Sequence, residues 1–192
     1  MSTRDLSILE ERLGYKFKNI KFLETGVTHS SFSNETKEHV PYNERQEFLG
    51  DAVLSIIVSD YIFEHYTKLP EGELTKMRAS LVCEKSLCGF SNELELGSFL
   101  RLGHGEELMG GRERPSILAD AFEAVLAAVY LDGGIEPATK IVLRFVKKAL
   151  EHVENAPFKD YKTLLQEIIQ KNPEERLTYM LVGESGPDHD KR

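Results

Sequence analysis

The chain contains no tryptophan and only two cysteines, and its charge leans to one sign, with 24 Lys and Arg against 32 Asp and Glu. A net charge of -8 excludes a generic basic nucleic-acid binder. Any polyanion partner would need a local basic patch or metal ions to offset that charge. Cys83 and Cys88 lie five residues apart, in neither CxxC nor zinc-ligand spacing, and on one helix they point different ways. They could not easily be bridged, and a reduced, intracellular protein is expected. No window reaches the roughly 18 uncharged apolar residues that a membrane span needs. The start, "MSTRDLSILEERLG", lacks the apolar stretch of a signal peptide. These absences lead to the expectation of a soluble, cytoplasmic protein without a membrane partner. There is no internal repeat, no low-complexity tract, no GxxxxGK[ST] loop and no GxSxG elbow.

What is present is a long chain, 41% hydrophobic over 192 residues, able to bury a substantial core. "DLSILEERLG" has helical spacing, with Gly14 placed to end it. "NIKFLETGVTHSSF" reads as helix from Asn19, and "SNETKEHVPY" as loop. A long helix follows, with Asn43 expected as its N-cap and Gln46 as the capping-box partner. "LTKMRASLV" and "EKSLCGFSNELEL" are helical patterns, and the glycine-rich "GSFLRLGHGEELMGGRERP" reads largely as loop. Ser116 is placed to cap "ILADAFEAVLAAVYL", which should stop at Gly133-Gly134. "EPATKIVLRFVKKALEHVE" is a further amphipathic helix with Pro137 in its first turn. Residues 1–154 thus read as an all-helical domain, giving a mainly α fold. Residues 155–159 read as a linker, and 160–192 as a helix and a strand that begin an α+β unit. One helix and one strand bury too little surface to fold alone, so the natural protein is expected to continue past Arg192.

The most informative residues are acids in apolar company. In "NERQEFLGDAVLSIIV", Glu44, Glu47 and Asp51 fall within roughly 60° of one helix face at about 100° per residue. The other faces carry Phe48, Leu49, Ala52, Val53, Leu54, Ile56 and Ile57, a pattern that predicts a buried helix. From Ile117 to Leu131 every residue is apolar except Asp120 and Glu123, which share a face. Buried like charges repel and lose hydration, so they need cations. No matching Lys or Arg pair is in the pattern, and carboxylates on two facing helices suit Mg²⁺ or Mn²⁺. Such a site fits phosphodiester hydrolysis. A di-iron bundle would need Glu-x-x-His, and no Glu here has His three residues on. Structural pairing of the acids and a non-catalytic scaffold are the competing readings.

"NERQEFLGDAVL" resembles the signature of the ribonuclease III family. The resemblance continues through "THSSFSNE", "EGELTKMRASLV" and "SILADAFEAVLAAVYLD", in the family's order over residues 1–154. "YKTLLQEIIQ" and "TYMLVGESGPDHDK" resemble the start of the double-stranded RNA-binding module of bacterial members, here cut short. The resemblance implies a homodimeric, Mg²⁺-dependent endonuclease (Mn²⁺ substituting) that cuts double-stranded RNA in rRNA and mRNA processing. Products would carry 5′-phosphates, 3′-hydroxyls and a short 3′ overhang. By position it implies Glu47, Asp51, Asp120 and Glu123 as metal ligands, Asp51 and Glu123 being closest to the chemistry. Glu44 and Glu71 would be further acids of the cleft, and Phe48 would pack across the dimer. Gln166 and His189 match minor-groove contacts of the RNA-binding module. Lys76, Arg78, Arg112 and Arg114 are candidates for the rim of the RNA valley, against the alternative that each is a solvated or structural charge.

Overall fold

The structure is a computed structural model that describes residues 5–37 and 39–154. The expectations for the linker, the second unit, Gln166 and His189 lie outside the described residues. Among those residues nine α-helices occur and no strand. They are α1 (Leu6–Leu13), α2 (Lys21–Gly26), α3 (Ser30–Glu35), α4 (Glu44–His65), α5 (Glu71–Leu81), α6 (Glu84–Glu93), α7 (His104–Leu108), α8 (Pro115–Gly133) and α9 (Ile135–Glu154). Two 3-10 turns lie at Leu96–Phe99 and Gly111–Glu113.

The apolar α8 is the central post, because a run of apolar residues broken only by Asp120 and Glu123 can be covered on nearly every side. Its residues Ala121, Phe122, Ala124, Val125 and Ala127 are buried, and α2, α4 and α6 pack against it. Phe90 of α6, Phe122 and Phe145 of α9 meet edge-on and stacked, with ring centroids 5.1–5.7 Å apart. Gly14 takes a left-handed φ of 69° after α1, as its position predicts.

Several local expectations are corrected by tertiary contacts. The helix expected from Asn19 to Phe32 breaks into α2 and α3. Residues 27–29 turn away to bridge the segment at Arg101: the Arg101 N–H donates to the Val27 carbonyl at 2.8 Å, and the His29 N–H to the Arg101 carbonyl at 3.0 Å. Asn43 and Gln46 form no capping box. Asn43 is already helical in its backbone and makes no side-chain cap bond. Its N–H donates instead to the Thr28 carbonyl at 2.9 Å. Ser116 does not cap α8, since Pro115 already occupies the first turn behind Arg114. The glycine-rich stretch is more ordered than expected. Arg112 threads it together, donating to Glu107 at 2.6 Å and to the carbonyls of Gly97 and Leu100 at 2.9 and 2.8 Å.

The expected burial of α4 also changes. Val53, Leu54, Ile57, Val58 and Ile62 face the core, but Phe48, Ile56 and Phe63 are exposed at 81%, 60% and 72%. At about 100° per residue, Phe48, Ala52, Ile56 and Phe63 fall within roughly 80° of one another, as one outward apolar stripe. Periodicity alone cannot separate a helix buried in its own core from one that leaves an apolar face uncovered.

Candidate active site

Two helices bring the acids together. Glu47, in the first turn of α4, meets Asp120 and Glu123, which are neighbours on α8. One carboxylate oxygen from each of the three lies within 4.8 Å of the others. All three are half-buried. Asp51, one turn beyond Glu47, is exposed and outside this trio, yet its charge acts strongly on Glu123. Glu44 is also exposed and bears on Glu47.

The close approach depends on Gly50. A Cβ there would fall 2.0 Å from the Glu123 carbonyl oxygen and 3.0 Å from its Cα. Only a residue without a side chain lets α4 lie this near α8 at the acids. Sequence reading missed this role, although an isolated glycine inside a long helical pattern is a signal of close backbone contact.

The electrostatics of the trio follow from crowding. Burial first, then the charges of Asp51, Glu47 and Asp120, raise the Glu123 pKa from 4.5 to about 8. Burial and the charges of Asp120 and Glu44 raise that of Glu47. Burial raises Asp120 as well, with His29 opposing and Glu84 adding to the rise. Every neighbouring charge that acts on Glu123 is negative. His29 and Glu84 are thus further neighbours that no spacing rule revealed, because they arrive from α6 and from the segment ahead of α3. The donor set consists of oxygens only, without Cys or His in the trio. That composition fits a hard divalent cation, whose charge would offset the burial and repulsion that raise the Glu123 pKa.

The other candidates scatter. Glu71 opens α5, exposed, and accepts from the Thr75 hydroxyl at 2.9 Å. It borders a groove of about 440 Å³ between α4 and α5, with Ile56, Phe63, Leu74 and Arg78. Within one chain it is not among the acids that act on Glu47, Asp120 or Glu123. Arg112 is committed to its loop, and Arg114 pairs with Glu106 at 2.6 Å, so the structural alternative holds for both. Arg78 donates to Ser59 at 3.1 Å, and Lys76 pairs with exposed Glu73 at 3.4 Å.

Fold and site together define an all-helical domain that gathers, from two packed helices, carboxylates that could hold a divalent cation. A family model described as "Ribonuclease-III-like" matches residues 19–150. Ribonuclease 3 of Caldanaerobacter subterraneus subsp. tengcongensis is 49% identical over 187 residues, covering 97% of this chain and 82% of that protein. Ribonuclease 3 of Desulforamulus reducens is 51% identical over 185 residues, covering 95% and 75%. The nuclease domain of ribonuclease III from Campylobacter jejuni has a TM-score of 0.70 and 45% identity over 75% of this chain and 97% of that one. Its description refers to a region involved in dimer formation. The chain belongs to the ribonuclease III family. Among the described residues, no helix is long and apolar enough to cross a membrane.

Proposed function

We infer that this protein is a Mg²⁺-dependent endoribonuclease of the cytoplasm that hydrolyses double-stranded RNA to 5′-phosphate and 3′-hydroxyl ends. The observation that carries this reading is the half-buried trio of Glu47, Asp120 and Glu123, with Asp51 beside it, in a chain of this family. Those four acids would hold the metal, and Mn²⁺ would substitute. A divalent ion held there would supply activation of water and stabilisation of charge on the phosphodiester. The chain's own contribution is placement. Two helices locked together at Gly50 fix the carboxylates more precisely than a loop would. Glu123, whose pKa is raised by burial and by its acidic neighbours, would have to be deprotonated to serve as a ligand. The test is cleavage of a long RNA duplex at low salt. Mg²⁺ or Mn²⁺ should restore cutting to the stripped protein and Ca²⁺ should not. Iron-dependent oxygen consumption, or duplex binding without cutting, would reject the reading.

The same reading makes the protein a homodimer. The stripe of Phe48, Ile56 and Phe63 is costly in water, and a two-fold copy can cover it with the same stripe. On the helical wheel this stripe adjoins the edge that bears Glu44, Glu47 and Asp51, so a partner there would set two acid sites on one duplex. Glu71 would act as a cleft acid in that assembly, bordering the same α4 face at the groove with Ile56 and Phe63. Residues 155–192 would begin the RNA-binding module, with Gln166 and His189 reaching the minor groove. Phe48→Glu should place two buried like charges against each other and convert the dimer to monomer by sedimentation. Its far-ultraviolet circular dichroism should stay unchanged, because Phe48 supports nothing within its own chain. A dimer that survives this change would rule out the stripe as the interface.

A further inference from the structure

Gln46 lies between two acids of the signature, yet it turns the opposite way and is only 7% exposed. Its Nε2 donates to the Phe22 carbonyl of α2 at 3.1 Å. Its Oε1 is closed off from solvent and has no hydrogen-bond partner. The amide cannot be turned round to repair this, since that would set Oε1 against the Phe22 carbonyl. A half-satisfied buried amide is a poor way to gain stability, and an apolar side chain of similar size would avoid the cost.

The surroundings indicate what the amide does. On the same short helix, Gly26 sits so close to its neighbours that a Cβ would fall 3.2 Å from the Ala124 carbonyl oxygen and 3.3 Å from Gln46 Oε1. Helix α2 is therefore wedged between Gln46 on α4 and Ala124 on α8. Each of these contacts is one residue away from an acid of the trio, Glu47 on one side and Glu123 on the other. Gly50 lets α4 come close to the backbone of α8, but a steric contact of that kind does not stop α4 from sliding along α2. A directional hydrogen bond to a helix carbonyl does.

We propose that Gln46 is a positioning residue: its hydrogen bond to α2 sets the register of the first turn of α4, and so the distance of Glu47 from Asp120 and Glu123. The proposal rests on the metal-dependent reading above. It assigns a role toward the metal to a side chain that touches neither metal nor RNA.

The test is Gln46→Met in the full chain, which keeps the length and removes the donor. Mn²⁺ binding to the metal-free protein is measured by calorimetry without RNA, beside the melting temperature. The expected result is a melting temperature equal to or above the parent's, with Mn²⁺ affinity lower by about tenfold, the low end of what losing a group that orients metal ligands costs. Turnover of duplex RNA at saturating substrate should fall with it, while KM for the duplex stays put. Equal Mn²⁺ affinity at an unchanged melting temperature would overturn the positioning role and leave the nuclease reading standing. A melting temperature lowered by many degrees would overturn it too, showing Gln46 to be an ordinary structural link. A parent protein that binds no Mn²⁺ would remove the nuclease reading itself, and this inference with it.

Discussion

Glu123→Gln should lose cleavage by roughly a thousandfold, about 4 kcal/mol of transition-state stabilisation, while the metal-free protein becomes more heat-stable than the parent at pH 8. Both effects have one cause. Glu123 is the most perturbed acid of the trio, half-buried and surrounded by Asp51, Glu47 and Asp120. Its neutral amide keeps the shape but offers the cation no charge, so the metal step is lost. The stability gain follows from linkage. The folded pKa is raised from 4.5 to about 8, so between those values the native state holds a proton that the unfolded chain has released. Stability of the metal-free parent is therefore lost as pH rises through that window, and is lowest above it. Glu47 and Asp120 are raised in the same direction and add to the slope. Glu123→Gln removes the largest part of this slope, and saturating Mg²⁺ should remove most of it in the parent. Thermal melts from pH 5 to 9, with and without Mg²⁺, check the sign. A metal-free parent that gains stability toward pH 9 would contradict the electrostatics of the trio.

Gly50→Ala is the second large effect. One methyl group would fall 2.0 Å from the Glu123 carbonyl oxygen, an atom held by the hydrogen-bonded backbone of α8. The helices must move apart, and forced overpacking of this kind costs about 1–3 kcal/mol. The shift is largest where it matters, because Glu47 and Asp51 flank Gly50 on α4 and Glu123 is the residue met across the interface. We expect a melting temperature lower by several degrees and duplex cleavage reduced by about a hundredfold or more, since displacement of a site by about 1 Å can cost that much. Gly72, which has open space around its missing side chain, provides the control: Gly72→Ala in the first turn of α5 should fold normally and cut normally. If Gly50→Ala cleaved like the parent, the close contact of α4 and α8 would have no part in forming the site.

The acids are legible in the sequence. Asp120 and Glu123 stand out because every other residue from Ile117 to Leu131 is apolar, and an acid three residues from another shares its face. Glu47 belonged with them through the resemblance and through its place on a second apolar helix. The boundaries of the long helices were legible for a similar reason, since periodicity persists over many turns. The short elements were not. Arg101 takes the Val27 carbonyl and the His29 N–H out of the helix that local spacing favours, and Arg112 organises a glycine-rich stretch that reads as loop. The capping box failed for the same reason: Asn43 found the Thr28 carbonyl, and Gln46 found that of Phe22.

By itself the sequence determined that the described domain is helical, that its acids are too many for an apolar setting without cations, and that the chain lies in the ribonuclease III family. The first two conclusions depend on residue type and on spacing within one helix, which local geometry carries; the third rests on the resemblance of "NERQEFLGDAVL" and its companion motifs to that family. Only the tertiary structure decided which acids meet, that Asp51 stands outside the tightest trio, that Gly50 is the point of contact, and that α4 leaves an apolar stripe uncovered. Each of these depends on the distance between elements far apart in the chain. That distance is set by packing across α2, α4 and α8, where the absence of a side chain at Gly26 and Gly50 governs how near the helices come.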